Sequence, residues 1–258
     1  MAKRLVRTLI YDIETSLQTA AIFDLKYNDY ISPENLLSER YVISVCWQWL
    51  GESKIHSVSV LDDPSRFSRD PGDDTYVLRE FAKVLAQADV IVAHNGDAFD
   101  YRYLKTRMLI KGLEVPPPVT SVDTYKIVKS NFKFNANRLD YVGKILGVGG
   151  KKSTPKGLWL DVLRGSKKAI QTMVDYNKRD VTLLKDVFLK LIPYIPSHIN
   201  RELFGGSGCP RCGSSKVQSR GTHKAISRVY KRFQCQVCHG WFRSVLNDKS
   251  IKTKYRVL

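Results

Sequence analysis

The chain has 258 residues, 43% hydrophobic and 26% charged, with a net charge of +17 and a pI near 9.7. That is enough for one sizeable domain with its own core and a small appendage, and no run approaches the ~18 unbroken apolar residues of a membrane span. The basic N-terminus meets acids inside its apolar stretch and lacks a small-residue cleavage site, so no secretory leader and a cytoplasmic location are expected.

The stretch "LVRTLIYDIE" has the pattern of a strand that is apolar on both faces towards its end. Asp12 and Glu14, two residues apart, share a face at ~7 Å along the backbone. Two like charges at that distance repel by about 2 kcal/mol at an effective dielectric near 20, and desolvation adds to this. A cation between them relieves both effects; a strand end open to water would also do so. Residues 15–40 follow as a long insertion without a clear pattern.

"RYVISVCWQWLG" and "KIHSVSVL" are two further strands, and Cys46, between Val45 and Trp47, belongs in the core. "TYVLREFAKVLAQA" has helical spacing, and "DVIVAHN" is a short buried strand. "FDYRYLKTRMLIKG" is a helix ended by Gly112, with Asp97 suited to its N-cap and Asp100 in its first turn. "VTSVDT" is a strand; "RLDYVGKILG" and "KAIQTMVDYNKRDVTLLKDVFLKLI" are helical, the second stopped by Pro193. "GVGGKKSTPKG" lacks the spacing of a phosphate loop and is expected to be a basic surface loop. On the last helix Tyr176 and Asp180, four apart, project together at the edge of an apolar stripe. Strands first, then alternation with helices, argue for an α/β domain with a mixed sheet. Such sheets bind ligands at the carboxyl ends of their parallel strands, where Asp12–Glu14 and His94–Asp100 both fall.

Taken together, "DIET", "HN-x-x-x-FD" and "Y-x-x-x-D" resemble, in order and rough spacing, the DEDDy branch of the DnaQ-like 3′–5′ exonucleases, which includes the proofreading domains of family-B DNA polymerases. The resemblance covers about residues 5–192 and implies an RNase H-like fold. By position it implies that Asp12, Glu14, Asp100 and Asp180 bind two catalytic ions, Mg²⁺ or Mn²⁺, and that Tyr176 orients the attacking water. Asp175 stands where the sister branch has a histidine, so the tyrosine branch is the better match. A tyrosine's ordinary pKa of about 10 makes it a poor base, which suits an orienting role. Hydrolysis of a phosphodiester needs an activated water and a stabilised alkoxide, and paired cations held by hard oxygen ligands serve both. Thr15, Asn95 and Phe99, as neighbours of the same motifs, are expected substrate contacts.

The end of "PYIPSHINRELFGGSG", about Gly205 to Gly208, has the composition of a linker, which divides the chain into domains 1–204 and 205–258. Beyond it, Cys209 and Cys212 form one C-x-x-C knuckle, and Cys235 and Cys238 a second. This resembles a zinc ribbon, with a gap between knuckles slightly longer than usual; four thiolates close a tetrahedral shell, so one structural Zn²⁺ is expected. Residues 205–258 hold 12 Lys and Arg against the single acid Asp248, interleaved with Tyr230, Phe233, Trp241 and Phe242. Cations neutralise phosphates and aromatics stack bases, although a small ribbon also needs aromatics for its own core.

The expected architecture is thus an RNase H-like mixed sheet flanked by helices, plus a small C-terminal zinc ribbon. The expected activity is a metal-dependent 3′–5′ exonuclease on single-stranded DNA or DNA ends, with the ribbon assisting nucleic-acid binding. RNA trimming and endonucleolytic cleavage are the alternatives within the same chemistry, and a non-catalytic ribbon-based binding protein is the alternative outside it. Nucleic acid is the expected partner, a replication or repair protein a second one through the ribbon, and a membrane none.

Overall fold

The computed structural model describes residues 6–22, 24, 30–117, 119–150, 153–196, 208–212, 214–225 and 229–245. The chain divides into two compact units, Met1–Tyr194 and Ile195–Leu258. The boundary expected at residue 204, and the linker apart from Gly208, lie outside the described residues.

In the first unit the order is β1 (Thr8–Thr15), β2 (Thr19–Ala20), β3 (Leu36–Ser38), β4 (Val42–Trp49), β5 (His56–Ser59), α1 (Pro64–Arg69), α2 (Thr75–Leu85), β6 (Val90–Ala93), α3 (Asp100–Ile110), β7 (Thr120–Asp123), α4 (Thr124–Asn131), α5 (Leu139–Ile145), α6 (Leu158–Leu163) and α7 (Lys167–Leu191). The main sheet runs β5-β4-β1-β6-β7. β4 is antiparallel to β1 and β5, whereas β6 is parallel to β1 and β7. This is the mixed, helix-flanked sheet expected from the pattern. The insertion after β1 contributes the β2–β3 pair and the 3₁₀ turn Pro33–Asn35 among its described residues.

Strand alternation fixes the layers. Adjacent residues on β1 point to opposite faces: Tyr11 packs on Phe81 of α2 at 5.4 Å between rings, while Asp12 accepts a hydrogen bond from Asn177 of α7. Helices α2 and α7 therefore cover opposite faces, which is why every residue of β4 is buried. On the α7 side Cys46 is buried as expected; its thiol donates to the Val174 carbonyl, and burial, reinforced by nearby Asp12, pushes its pKa well up. On the α2 side Asp74, fully buried, accepts two hydrogen bonds from Arg107 of α3 at 2.8 and 2.9 Å and a third from the Val42 backbone at 3.0 Å. One carboxylate thus joins α2, α3 and β4.

Ser166 caps α7 by accepting from the Ala169 amide, and the helix passes at its far end into the 3₁₀ turn Ile192–Tyr194 that contains Pro193. Three short helices, α1, α4 and α6, have no counterpart in the periodic patterns. At six, eight and six residues they are about two turns long or less, too short for a 3.6-residue repeat to register. No described helix is long and apolar enough to cross a membrane.

The second unit is a three-stranded antiparallel sheet in the order β10-β9-β8, built from β8 (Val217–Lys224), β9 (Val229–Cys235) and β10 (Trp241–Val245). Its four cysteines lie at one end of the strands, an arrangement consistent with a zinc ribbon.

Candidate active site

The carboxyl ends of β1, β6 and β7 build the site. β1 pairs with β6 only from Thr8 to Ile10, yet it stays paired with β4 as far as Thr15. Asp12 and Glu14 thus lie beyond the last β1–β6 pair, where the two parallel strands separate and leave a crevice. Both acids face α7. The carboxylates of Asp12, Glu14 and Asp180 each bring an oxygen within 4.8 Å of the others. Asp180 is 1% exposed. Three anionic groups so close, one of them desolvated, are a poor arrangement in isolation and a good one around hard cations. The donor set fits Mg²⁺ or Mn²⁺.

Asp100 is buried as the first residue of α3 but lies outside this three-acid cluster. Its charge is felt at Tyr11, whose hydroxyl is buried; burial first, then Asp100, pushes that phenol well above its usual pKa. Tyr176 is half-buried on α7, one turn before Asp180. Asn177, between them in sequence, is absent from the motifs. It is fully buried, and its amide donates to Asp12 at 2.9 Å. The sequence does carry a signal for it: a polar residue four places from both Met173 and Val181 interrupts the buried stripe of α7.

The turn after β6 is held by a residue with no assigned role in the motifs. Asp123, at the end of β7, accepts from the backbone amides of Asn95, Asp97, Tyr125 and Lys126. It caps α4 and fixes Asn95, whose φ of 68° lies in the left-handed region that asparagine tolerates. Asp97 is not the cap of α3. The helix starts later, at Asp100, after Phe99, and Asp97 instead accepts from Ser121 at 2.5 Å and from Lys126 at 2.7 Å. His94 donates from Nε2 to the Asn137 carbonyl at 2.8 Å, which ties the turn to the segment before α5. Phe99 stacks on Tyr103 at 5.6 Å, with the Arg40 guanidinium 5.7 Å above its ring. Thr15 sits at the β-bulge that ends the β1–β4 ladder.

A cavity of about 740 Å³ opens beside these groups, lined by Asp12, His94, Asn95, Tyr125, Arg138, Leu139, Asp140, Lys144 and Ser153. Asp12 stands at one side; at another Arg138, next to α5, brings positive charge, while on α5 Lys144 is ion-paired with Asp140 at 2.8 Å. Gly143 brings α5 close against α7: a Cβ there would meet Leu183 Cδ1 at 2.6 Å and the Gly149 carbonyl oxygen at 2.7 Å. Ser153 in this wall belongs to the loop "GVGGKKSTPKG", of which Lys151 and Lys152 lie outside the described residues.

Residues 34–192 match the family model for the RNase_H superfamily. The chain belongs to the RNase_H superfamily. Proteins of RNase H-like type are generally nucleases that use divalent metals, so the fold implies a nucleic-acid substrate. The match begins after β1, so Asp12 and Glu14 lie outside the matched residues. Among solved structures, the family B DNA polymerase from the hyperthermophilic archaeon Pyrobaculum calidifontis is similar in fold, with a TM-score of 0.53 and 21% identity. The likeness covers 73% of this chain and 25% of the polymerase chain. A search of curated proteins finds no match.

The cysteine site is in the second unit. All four Sγ atoms lie within 4.8 Å of one another, with Cys209–Cys238 at 3.6 Å and Cys212–Cys235 at 3.5 Å. A disulfide needs about 2.05 Å, whereas the edge of a tetrahedron around a metal with ~2.3 Å sulfur bonds is about 3.8 Å. The separations therefore suit a shared ion. Backbone amides of Cys238 and Val237 point at Cys235 and bring its thiol down to about 6, which favours a thiolate. Replacing Cys209 and Cys212 by Ser is expected to unfold this unit and leave Met1–Tyr194 folded, because a structural metal contributes on the order of 10 kcal/mol. Limited proteolysis measures it: new cuts between residues 208 and 245, with the first unit intact, are the expected pattern.

Proposed function

We propose that the protein is a two-metal-ion 3′–5′ exonuclease acting on single-stranded DNA or DNA ends, of DEDDy type, with a zinc ribbon that assists nucleic-acid binding. The convergence of Asp12, Glu14 and Asp180 where β1 and β6 part carries this reading. Membership of the RNase_H superfamily and the polymerase-like fold support it.

In this reading Asp12, Glu14 and Asp180 hold Mg²⁺ or Mn²⁺, with Asp100 as the fourth acid. Such ions supply an activated water and offset the charge on the departing alkoxide. Asn177 fixes the rotation of the Asp12 carboxylate. Tyr176 positions the attacking water through its hydroxyl. The cavity is the size of an ordinary small-ligand site and receives the terminal nucleotide, with Asn95 and Phe99 at the turn and Thr15 at the strand end as contacts. Arg138 neutralises a phosphate along its wall. Zn²⁺ on Cys209, Cys212, Cys235 and Cys238 holds the ribbon together.

The test uses 5′-labelled DNA and RNA oligomers with Mg²⁺, Mn²⁺ or EDTA. Single-nucleotide ladders on DNA are expected. A preference for RNA would replace the substrate, a few internal cuts would replace the exonuclease by an endonuclease, and no cleavage with either metal would overturn the enzyme reading. Tyr176→Phe keeps the ring and removes only the hydroxyl. It is expected to lower kcat by about 10- to 100-fold, within the range of lost positioning groups, while substrate affinity persists. Weaker binding with normal turnover would make the tyrosine a contact residue instead.

A further inference from the structure

We propose that one face of the β8–β9–β10 sheet is a stacking platform for unpaired nucleotides, centred on Trp241 and flanked by Arg232 and Arg243. Register decides which side chains share it. Trp241 is opposite Gln234, Arg243 opposite Arg232, and Val245 opposite Tyr230, while His223 faces Tyr230 from β8. Cross-strand partners point the same way, so Tyr230, Arg232, Trp241, Arg243 and His223 form one face. The other face carries Phe242 opposite Phe233, stacked at 5.5 Å, together with the metal-site residue Cys235. The pair that packs the small unit internally is therefore on the opposite side from Trp241.

Three observations say what the Trp241 face takes. Trp241 is 54% exposed, too open for a core tryptophan. Arg232 lies over its ring at 4.6 Å, and Arg243 over Tyr230 at 5.3 Å, so two aromatic surfaces are each paired with a cation. Arg232 and Arg243 are directly cross-strand, an arrangement that repels unless an anion joins it. No Asp or Glu lies between Glu202 and Asp248 to supply that anion from nearby in the chain. A cavity of about 240 Å³ marks the spot; four of its five lining residues, His223, Arg232, Trp241 and Arg243, belong to this face, and Phe242 is the exception. Anionic phosphate beside a flat π-surface is the chemistry of a nucleotide. A duplex hides its base faces within the stack, whereas a single strand offers them to aromatic side chains whatever the base. The occupant is single-stranded nucleic acid read without sequence preference.

This rests on the reading that the protein handles nucleic acid, and the experiment separates the two. The full chain and its Trp241→Ala, Trp241→Phe and Arg232→Gln/Arg243→Gln variants are titrated by anisotropy into a labelled single-stranded 20-mer and the matching duplex over a salt series, without added divalent metal. Zinc content is measured on each preparation to verify the ribbon. Trp241→Ala is expected to weaken single-strand binding roughly 5- to 150-fold, the loss of one stacked base, and Trp241→Phe to restore most of it. The double arginine variant is expected to flatten the single-strand salt slope by about 1.4. Duplex affinity should change little on losing Trp241. Unchanged single-strand affinity in zinc-loaded Trp241→Ala would overturn the platform even if cleavage were normal. Trp241-dependent binding without any cleavage would retain the platform and overturn the nuclease.

Discussion

Asp12→Ala and Asp180→Ala are each expected to lower cleavage by on the order of 10³-fold or more. Cation-based stabilisation of the transition state is worth several kcal/mol, and about 1.4 kcal/mol is tenfold. The fold should survive. Each change removes one of three crowded negative charges. The relief of repulsion offsets the hydrogen bonding and packing that the carboxylate provided, so the metal-free Tm is expected to stay within about 4 °C of the parent. Cleavage assays paired with thermal melts in EDTA measure both halves. Normal cleavage in both variants would remove these residues from the site.

Arg107→Ala should do the reverse, damaging stability without touching the chemistry. It leaves Asp74 fully buried with its two guanidinium hydrogen bonds gone. Breaking a buried pair from one side costs about 3–5 kcal/mol, which corresponds to roughly 6–20 °C in the Tm of a unit this size. Replacing both partners, as Asp74→Leu with Arg107→Met, is expected to recover much of the loss. Recovery should be incomplete, because the Val42 amide also donates to Asp74. Urea denaturation of the two variants tests this; a loss under about 1 kcal/mol in Arg107→Ala would show that water reaches the carboxylate.

The contrast between these two experiments reflects what a sequence can display. Tyr176 and Asp180 look like a surface pair until the motifs are taken together, whereas Asp12 and Glu14 stand out because they break a local pattern, as acids in a buried strand. The sheet and its long helices are legible for the same reason, since strands and long helices repeat within a window of neighbours. Asp74 and Arg107 are 33 positions apart and look like surface charges until the fold joins them. Asp123 resembles the end of a strand; its role in holding the Asn95 turn depends on β6 and β7 being parallel neighbours. Asp97 has the composition of a helix cap, but Ser121 and Lys126, from the adjoining strand and helix, provide its partners. Asn177 meets Asp12 across 165 positions, a relation that no local window contains.

Gly143 has a consequence for how this cleft can evolve. Its missing side chain sets the distance between α5 and α7, and α5 carries Leu139, Asp140 and Lys144 into the cavity wall. The aperture is therefore governed from behind, by a position outside the cavity lining. Gly143→Ala must either displace both Leu183 and the Gly149 carbonyl or push α5 outward, and the outward movement shifts the whole wall as a unit. A KM that changes more for bulky-base oligomers than for small ones, with kcat preserved, would register that movement; identical KM values would show that Leu183 and the Gly149 segment absorb it. Gauge and chemistry are then separable, and lineages can retune which ends fit without altering a single acid.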